Sequence, residues 1–121
     1  MRIPYLIEWG TGADLHGENC TKAAQRAVKD AVSHCCMRGI TEITAHYGPS
    51  ASVSLSVKLA APAPQTINRA LVLDALPDFR EATTMEIISG GMTVAGSCAQ
   101  NGQSQEQIVI VNAAVTVYLD F

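Results

Sequence analysis

The sequence predicts a single α+β domain: a mainly antiparallel sheet with two helices on one face. Three observations carry this. Apolar and polar residues alternate over 53–59, and over 108–121 Val109, Val111, Ala113, Val115, Val117 and Leu119 fall on one face, the two-residue period of strands. Alanine and valine pairs recur every four residues over 21–37, the stripe of an amphipathic helix. The chain has 121 residues, 48% hydrophobic and 16% charged, which suits one globular core spanning residues 1–121. No internal repeat or linker interrupts it.

The elements follow in order. Ile3, Tyr5, Ile7 and Trp9 alternate with Pro4, Leu6, Glu8 and Gly10, a strand that is apolar on one face and mixed on the other. Gly10 to Gly17 reads as a glycine-rich loop. The first helix, Thr21 to Met37, carries Ala23-Ala24, Ala27-Val28, Ala31-Val32 and Cys35-Cys36 on one side. Lys22, Arg26, Lys29 and Asp30 fall largely on the other. Asn19 or Thr21 supplies its N-cap and Gly39 its end. Ile40 to Tyr47 reads as a short strand, and Gly48-Pro49-Ser50 as a turn. Val53, Leu55, Val57 and Leu59 alternate with Ser52, Ser54, Ser56 and Lys58, a strand with one wet face, which favours antiparallel pairing. Ala61-Pro62-Ala63-Pro64 breaks it. A second helix spans Gln65 to Leu76, with Ile67, Ala70 and Leu71 on the core side and Pro77 as its stop. Ala82 to Ser89 is a strand, interrupted at Gly90-Gly91 and resumed at Met92-Thr93-Val94. A polar loop with a turn at Asn101-Gly102 precedes the last strand, Ile108 to Phe121. The order is therefore β-α-β-β-α-β-β.

The densest chemistry lies in Gly10-Thr11-Gly12-Ala13-Asp14-Leu15-His16-Gly17, between the first strand and the first helix. It is not a dinucleotide fingerprint, because Leu15 stands where G-x-G-x-x-G needs glycine. It is not a phosphate loop either, because Glu18-Asn19 follow Gly17 where Lys and Ser/Thr belong. In an extended segment Asp14 and His16 project from the same side. Three readings stay open. The pair can fix the turn by bonding backbone groups. It can act in acid–base or substrate-binding chemistry, with His16 as acid or base, Asp14 as its orienter, and the Gly10 and Gly12 backbone as oxyanion donors. Or it can ligate a divalent metal, with Glu8 or His46 completing the set. Glu8 counts among the catalytic candidates: if it faces the core its carboxylate needs a partner, and otherwise it lies on an exposed strand face. Gly17 belongs to the same ligand-binding loop, and Ser89, Gly90 and Gly91 are candidates for the other wall of a pocket. The thiols Cys20, Cys35, Cys36 and Cys98, with His34, show no recognised zinc spacing.

Charge and composition exclude several classes. The net charge is −3 and basic residues are scattered, so nucleic acid is not expected as a partner. No apolar run reaches a membrane span of about 18 residues, and no signal peptide is evident, so a cytoplasmic protein is expected. The low charged fraction and the serine-rich strand face predict a homo-oligomer, a trimer first.

The eight-residue motif resembles the N-terminal signature Gly-x-Gly-x-Asp-x-His-Gly of an uncharacterised conserved hypothetical family of bacteria and plants. The resemblance continues at Thr21-Lys22-Ala23-Ala24, at Gly90-Gly91-Met92 and at Asn112-Ala113-Ala114-Val115. The element order is also similar to one repeat of the ring-opening cyclic amide hydrolases, a likeness of fold alone, without their Lys–Ser pairs. The expected function is binding or turnover of a small polar metabolite, by hydrolysis or proton transfer, at an inter-subunit site built on Gly10–Gly17. The alternatives are a non-catalytic oligomeric binding or regulatory module with Asp14 and His16 structural, and a divalent-metal-binding protein.

Overall fold

The long last strand is the axis of the molecule. In the computed structural model, which describes residues 1–34, 39–96 and 106–121, the elements are β1 (Arg2–Asp14), α1 (Cys20–Ser33), α2 (Ile40–Tyr47), β2 (Ser52–Ala61), α3 (Arg69–Leu73), β3 (Thr83–Ser89), β4 (Met92–Ala95) and β5 (Gln107–Asp120). The fold is α+β, with the strands in one mixed sheet of order β1-β5-β2-β3 and β4 on β5. β1 runs antiparallel to β5 from Arg2↔Asp120 to Asp14↔Val109. On the other side of β5, β2 pairs over Ser52–Ala60. Where β2 ends, β4 takes its place, from Met92↔Ile110 to Ala95↔Gln107.

This replacement explains Gly90-Gly91. β3 lies outside β2 and parallel to it, Leu55↔Thr83 through Ala61↔Ser89. To reach β5 the chain must then cross the end of β2. Gly90 N–H donates to Ala61 O at 3.0 Å. A Cβ on Gly91, at φ +68°, would lie 2.2 Å from Ile110 O and 3.0 Å from Ala60 O. Backbone atoms of two strands fill the space a side chain needs, so glycine is required.

One face of the sheet carries the core. Leu55, Val57 and Leu59 of β2 and Val111, Val115 and Val117 of β5 are fully buried, as their alternation predicts. Against them lie Ala23, Ala24, Ala27, Val28 and Ala31 of α1, with Ile40, Ile67, Val72 and Leu76. Asn19 caps α1: its side chain accepts from Lys22 N–H at 3.0 Å.

The structure corrects four expectations. Residues 40–47 form a helix, not a strand. The β-branched Ile40, Thr41, Ile43 and Thr44 suggest a strand, but Thr44 Oγ1 turns back to Ile40 O at 2.9 Å while Ile40 is buried in the core. The helix expected over 65–76 is a 3-10 turn, Pro64–Thr66, followed by the short α3, capped by Asn68. Its core residues are Ile67 and Val72, whereas Ala70 and Leu71 are exposed. The β2–β3 pairing is parallel, since the segment between these strands crosses over instead of turning back. β1 extends to Asp14, so Gly10–Asp14 belongs to the strand and not to a loop.

α1 thus covers one face of the sheet, Ile40 of α2 and Val72 of α3 reach the same core, and among the described residues the opposite face has no layer over it. No helix among the described residues is long and apolar enough to cross a membrane. Cys35, Cys36, Cys98 and the turn expected at Asn101-Gly102 lie outside the described residues.

Candidate functional site

The motif is first a packing device. In β1 the residues facing α1 are Glu8, Gly10, Gly12 and Asp14, all buried, whereas Ile7 and Trp9 are exposed at 63% and 73%. The apolar side of this strand is its open side. The cause is the distance to α1. A Cβ on Gly10 would lie 2.3 Å from Ala31 N and 2.4 Å from Ala27 O; on Gly12 it would lie 2.1 Å from Ala23 O and 2.3 Å from Ala27 N. Alanines at every fourth position of α1 and glycines at every second position of β1 let two backbones touch.

Asp14 completes the joint. It is 4% exposed; its Oδ2 accepts from Asn19 N–H at 2.8 Å, and its Oδ1 lies 3.6 Å from Arg26 Nη1. The carboxylate ties the end of β1 to the N-cap of α1, and Gly17 (φ +93°) closes the turn between them. Arg26 also donates to Ala13 O at 2.6 Å. One turn on, Asp30 Oδ2 accepts Thr11 N–H at 2.9 Å. Side chains of α1 therefore occupy backbone groups along the outer edge of β1, which blunts that edge against further strand pairing. The Thr11 N–H holds the Asp30 carboxyl below the usual carboxylate range, with His34 adding to the effect. Because Thr11 N–H points outward, the alternating N–H groups of Gly10 and Gly12 point toward β5. They serve the ladder, which corrects their assignment as oxyanion donors.

His16 is the part of the motif that the fold does not consume. Its side chain is 78% exposed, and its Nδ1 lies 2.7 Å from Glu106 Oε2, itself 59% exposed. An ionised carboxylate can only accept, so Nδ1–H donates and the lone pair of Nε2 is left for another proton or ligand. An exposed pair of this kind contributes at most about 1 kcal/mol to stability. The pair stands where β1 has ended and β5 begins, beside Gly96, whose N–H donates to Glu106 O at 2.8 Å. A carboxylate holding one imidazole nitrogen and leaving the other accessible is the arrangement of a general acid–base histidine.

The remaining candidates do not join it. His46 stacks edge-on against Tyr47, and Tyr47 lies against Phe121. Glu106 and Phe121 flank opposite ends of the 14-residue β5, about 45 Å apart at strand spacing. His46 therefore cannot complete a metal set with Asp14 and His16. Among the described residues, no three His, Cys, Asp or Glu side chains converge on a metal position. Glu8 is buried under the helix layer, 5% exposed, and pairs in register with Val115 near the middle of the sheet. Ser89, Gly90 and Gly91 lie at the β2 crossing, two strands from Ala13, with their backbone committed to it.

The family model of a conserved hypothetical protein, Lin0512_fam, matches residues 4–117. The chain belongs to this family. A similar solved structure is that of an FtsZ-like protein of unknown function from Nostoc punctiforme PCC 73102. It is 34% identical, with a TM-score of 0.80, over 99% of this chain and 98% of that one. No curated protein matches.

Glu106 is the site residue that sequence reasoning misses. It lies 90 positions from His16 in a polar stretch. The one signal that leads to it is the pairing of the first strand with the last.

Proposed function

We propose that this protein binds or turns over a small polar metabolite at the sheet end marked by His16 and Glu106, in an assembly of several copies, three being the first expected. His16 Nε2 takes or gives the proton, and Glu106 orients the ring and steadies the imidazolium. Asp14 belongs to the scaffold that places His16, not to the reacting groups. The carrying observation is the 2.7 Å His16–Glu106 contact between two exposed side chains that the fold does not need.

A second reading has its own support. The burial of Asp14 and its bond to Asn19 N–H fit a motif whose whole task is structural, in a non-catalytic module. A thermal-shift screen of small polar metabolites separates the two, because a ligand that binds the native state raises its melting temperature by mass action. Hits whose shift disappears in His16→Gln and Glu106→Gln, with folding intact, are the expected result. Hits that shift all three proteins equally place the site elsewhere.

A further inference from the structure

The open sheet face is a second feature the fold leaves unexplained. Registered rows run across it. Arg2, Asp120 and Ser52 stand at one end, then Pro4, Tyr118 and Ser54, then Ile7, Thr116 and Ser56. Beyond them Trp9 and Ala114 share a row with the Lys58–Glu86 pair, Ala60 and Ile88 share the next with Thr11 and Asn112, and past these the face turns apolar with Ala13, Ile110 and Met92, and last Ile108 and Val94. Trp9, Ile7, Met92, Ile88 and Val94 are exposed at 73%, 63%, 58%, 39% and 38%. The apolar rows lie at the edge where His16 meets Glu106.

We infer that a second copy of this chain covers this face. Three properties select that occupant. The first is area. β5 spans about 48 Å, and three to four strands at about 4.8 Å give a face of about 700–900 Å². A stable interface buries about 800 Å² per partner, so the whole face, its polar rows included, has the size such an interface needs. The second is charge. The charges on the face come in facing pairs, Arg2 with Asp120 at 3.8 Å and Lys58 with Glu86 at 3.8 Å. The chain carries −3 overall, so this face, with its charges balanced, is where a like-charged copy can approach without repulsion. A polyanion or a strongly charged partner finds no complementary field there. The third is shape and chemistry. Alanines at 13, 60 and 114 leave shallow places beside a projecting tryptophan, the kind of aromatic anchor that dominates interface energetics. Sheets packed face to face bury such side chains in a layer about 10 Å thick. The inference names the partner that would border the His16–Glu106 site, but it stands without any chemistry at that pair.

The test uses the single tryptophan of the chain. Light scattering on the full chain should give a multiple of 12.8 kDa. Trp9 should emit as a shielded indole, resist acrylamide quenching, and shift to the red on dilution. Ile7→Lys/Met92→Lys keeps Trp9 and alters two exposed positions. It should give the 12.8 kDa mass with an unchanged circular dichroism spectrum and a fully quenchable Trp9. A wild-type monomer at high micromolar concentration overturns the inference. So does an assembly that keeps its mass in the double variant, which would place the contact on another face. If the double variant fails to fold, wild-type quenching decides alone: a shielded Trp9 supports the covered face and a water-exposed one refutes it. A wild-type monomer that still binds metabolite refutes this inference and leaves the His16–Glu106 site intact.

Discussion

Gly12→Ala should be among the most damaging single-methyl additions this chain can receive. The new Cβ would sit 2.1 Å from Ala23 O and 2.3 Å from Ala27 N, and both are backbone atoms of α1. No rotamer change relieves that contact. Restoring even a 3.0 Å separation needs α1 to withdraw by about 0.9 Å, which loosens the packing of Ala23, Ala27 and Val28 on the sheet. Overpacking costs about 1–3 kcal/mol where side chains can shift, and more where they cannot. Rigid backbone on both sides puts the expected cost at about 3 kcal/mol or above. With unfolding entropy of about 2.1 cal/mol/K per residue, a domain of this length loses about 12 °C in Tm for that cost. Scanning calorimetry on wild type and Gly12→Ala reads this directly, and Thr11→Ala, on the open side of the same strand, is the matched control. A Gly12→Ala protein melting within about 2 °C of wild type would refute close strand–helix seating as the reason for the glycine.

Two further outcomes follow from the same geometry. Asp30 has a folded-state pKa below its unfolded one, so its contribution to stability is present above the ordinary carboxylate range and is lost as pH falls through the folded value. Urea titrations should therefore show Asp30→Asn less stable than wild type at neutral pH, with the gap closing below about pH 4; a gap that widens in acid would contradict the Thr11 contact. Gly91→Ala, with its Cβ 2.2 Å from Ile110 O and φ at +68°, should lower Tm and raise amide exchange in β4, read by hydrogen exchange of Thr93 and Val94; unchanged exchange would show that β4 can yield without loss.

Much of the fold was legible from periodicity. The buried faces of β2 and β5 are the ones their alternation marks, the alanine stripe of α1 is its core face, and Asn19 is its cap. The failures have identifiable causes. In β1 the hydrophobic pattern points the wrong way, because Ile7 and Trp9 lie on the uncovered face while Gly10 and Gly12 take the core side against a helix backbone. Pattern reading assigns the core to large apolar residues and has no means of seeing that contact. In α2, isoleucine and threonine favour a strand until the burial of Ile40 decides otherwise. The site was half legible. His16 was singled out, but the side chain the structure sets against it is Glu106 and not Asp14. Asp14 is its near neighbour in sequence, yet it is buried beneath α1, while Glu106 reaches His16 through a pairing of first and last strands.

The division of labour within the motif can be measured on two variants side by side. Urea unfolding and metabolite-induced thermal shift are recorded for Asp14→Asn and His16→Gln. Asp14→Asn should lose stability, because a buried carboxylate bonded to Asn19 N–H and facing Arg26 becomes a neutral amide, and should still respond to ligand. His16→Gln should keep wild-type stability and lose the ligand response. The reverse result, a destabilised His16→Gln and a stable Asp14→Asn that no longer binds, would place the chemistry on Asp14 and contradict the division drawn here.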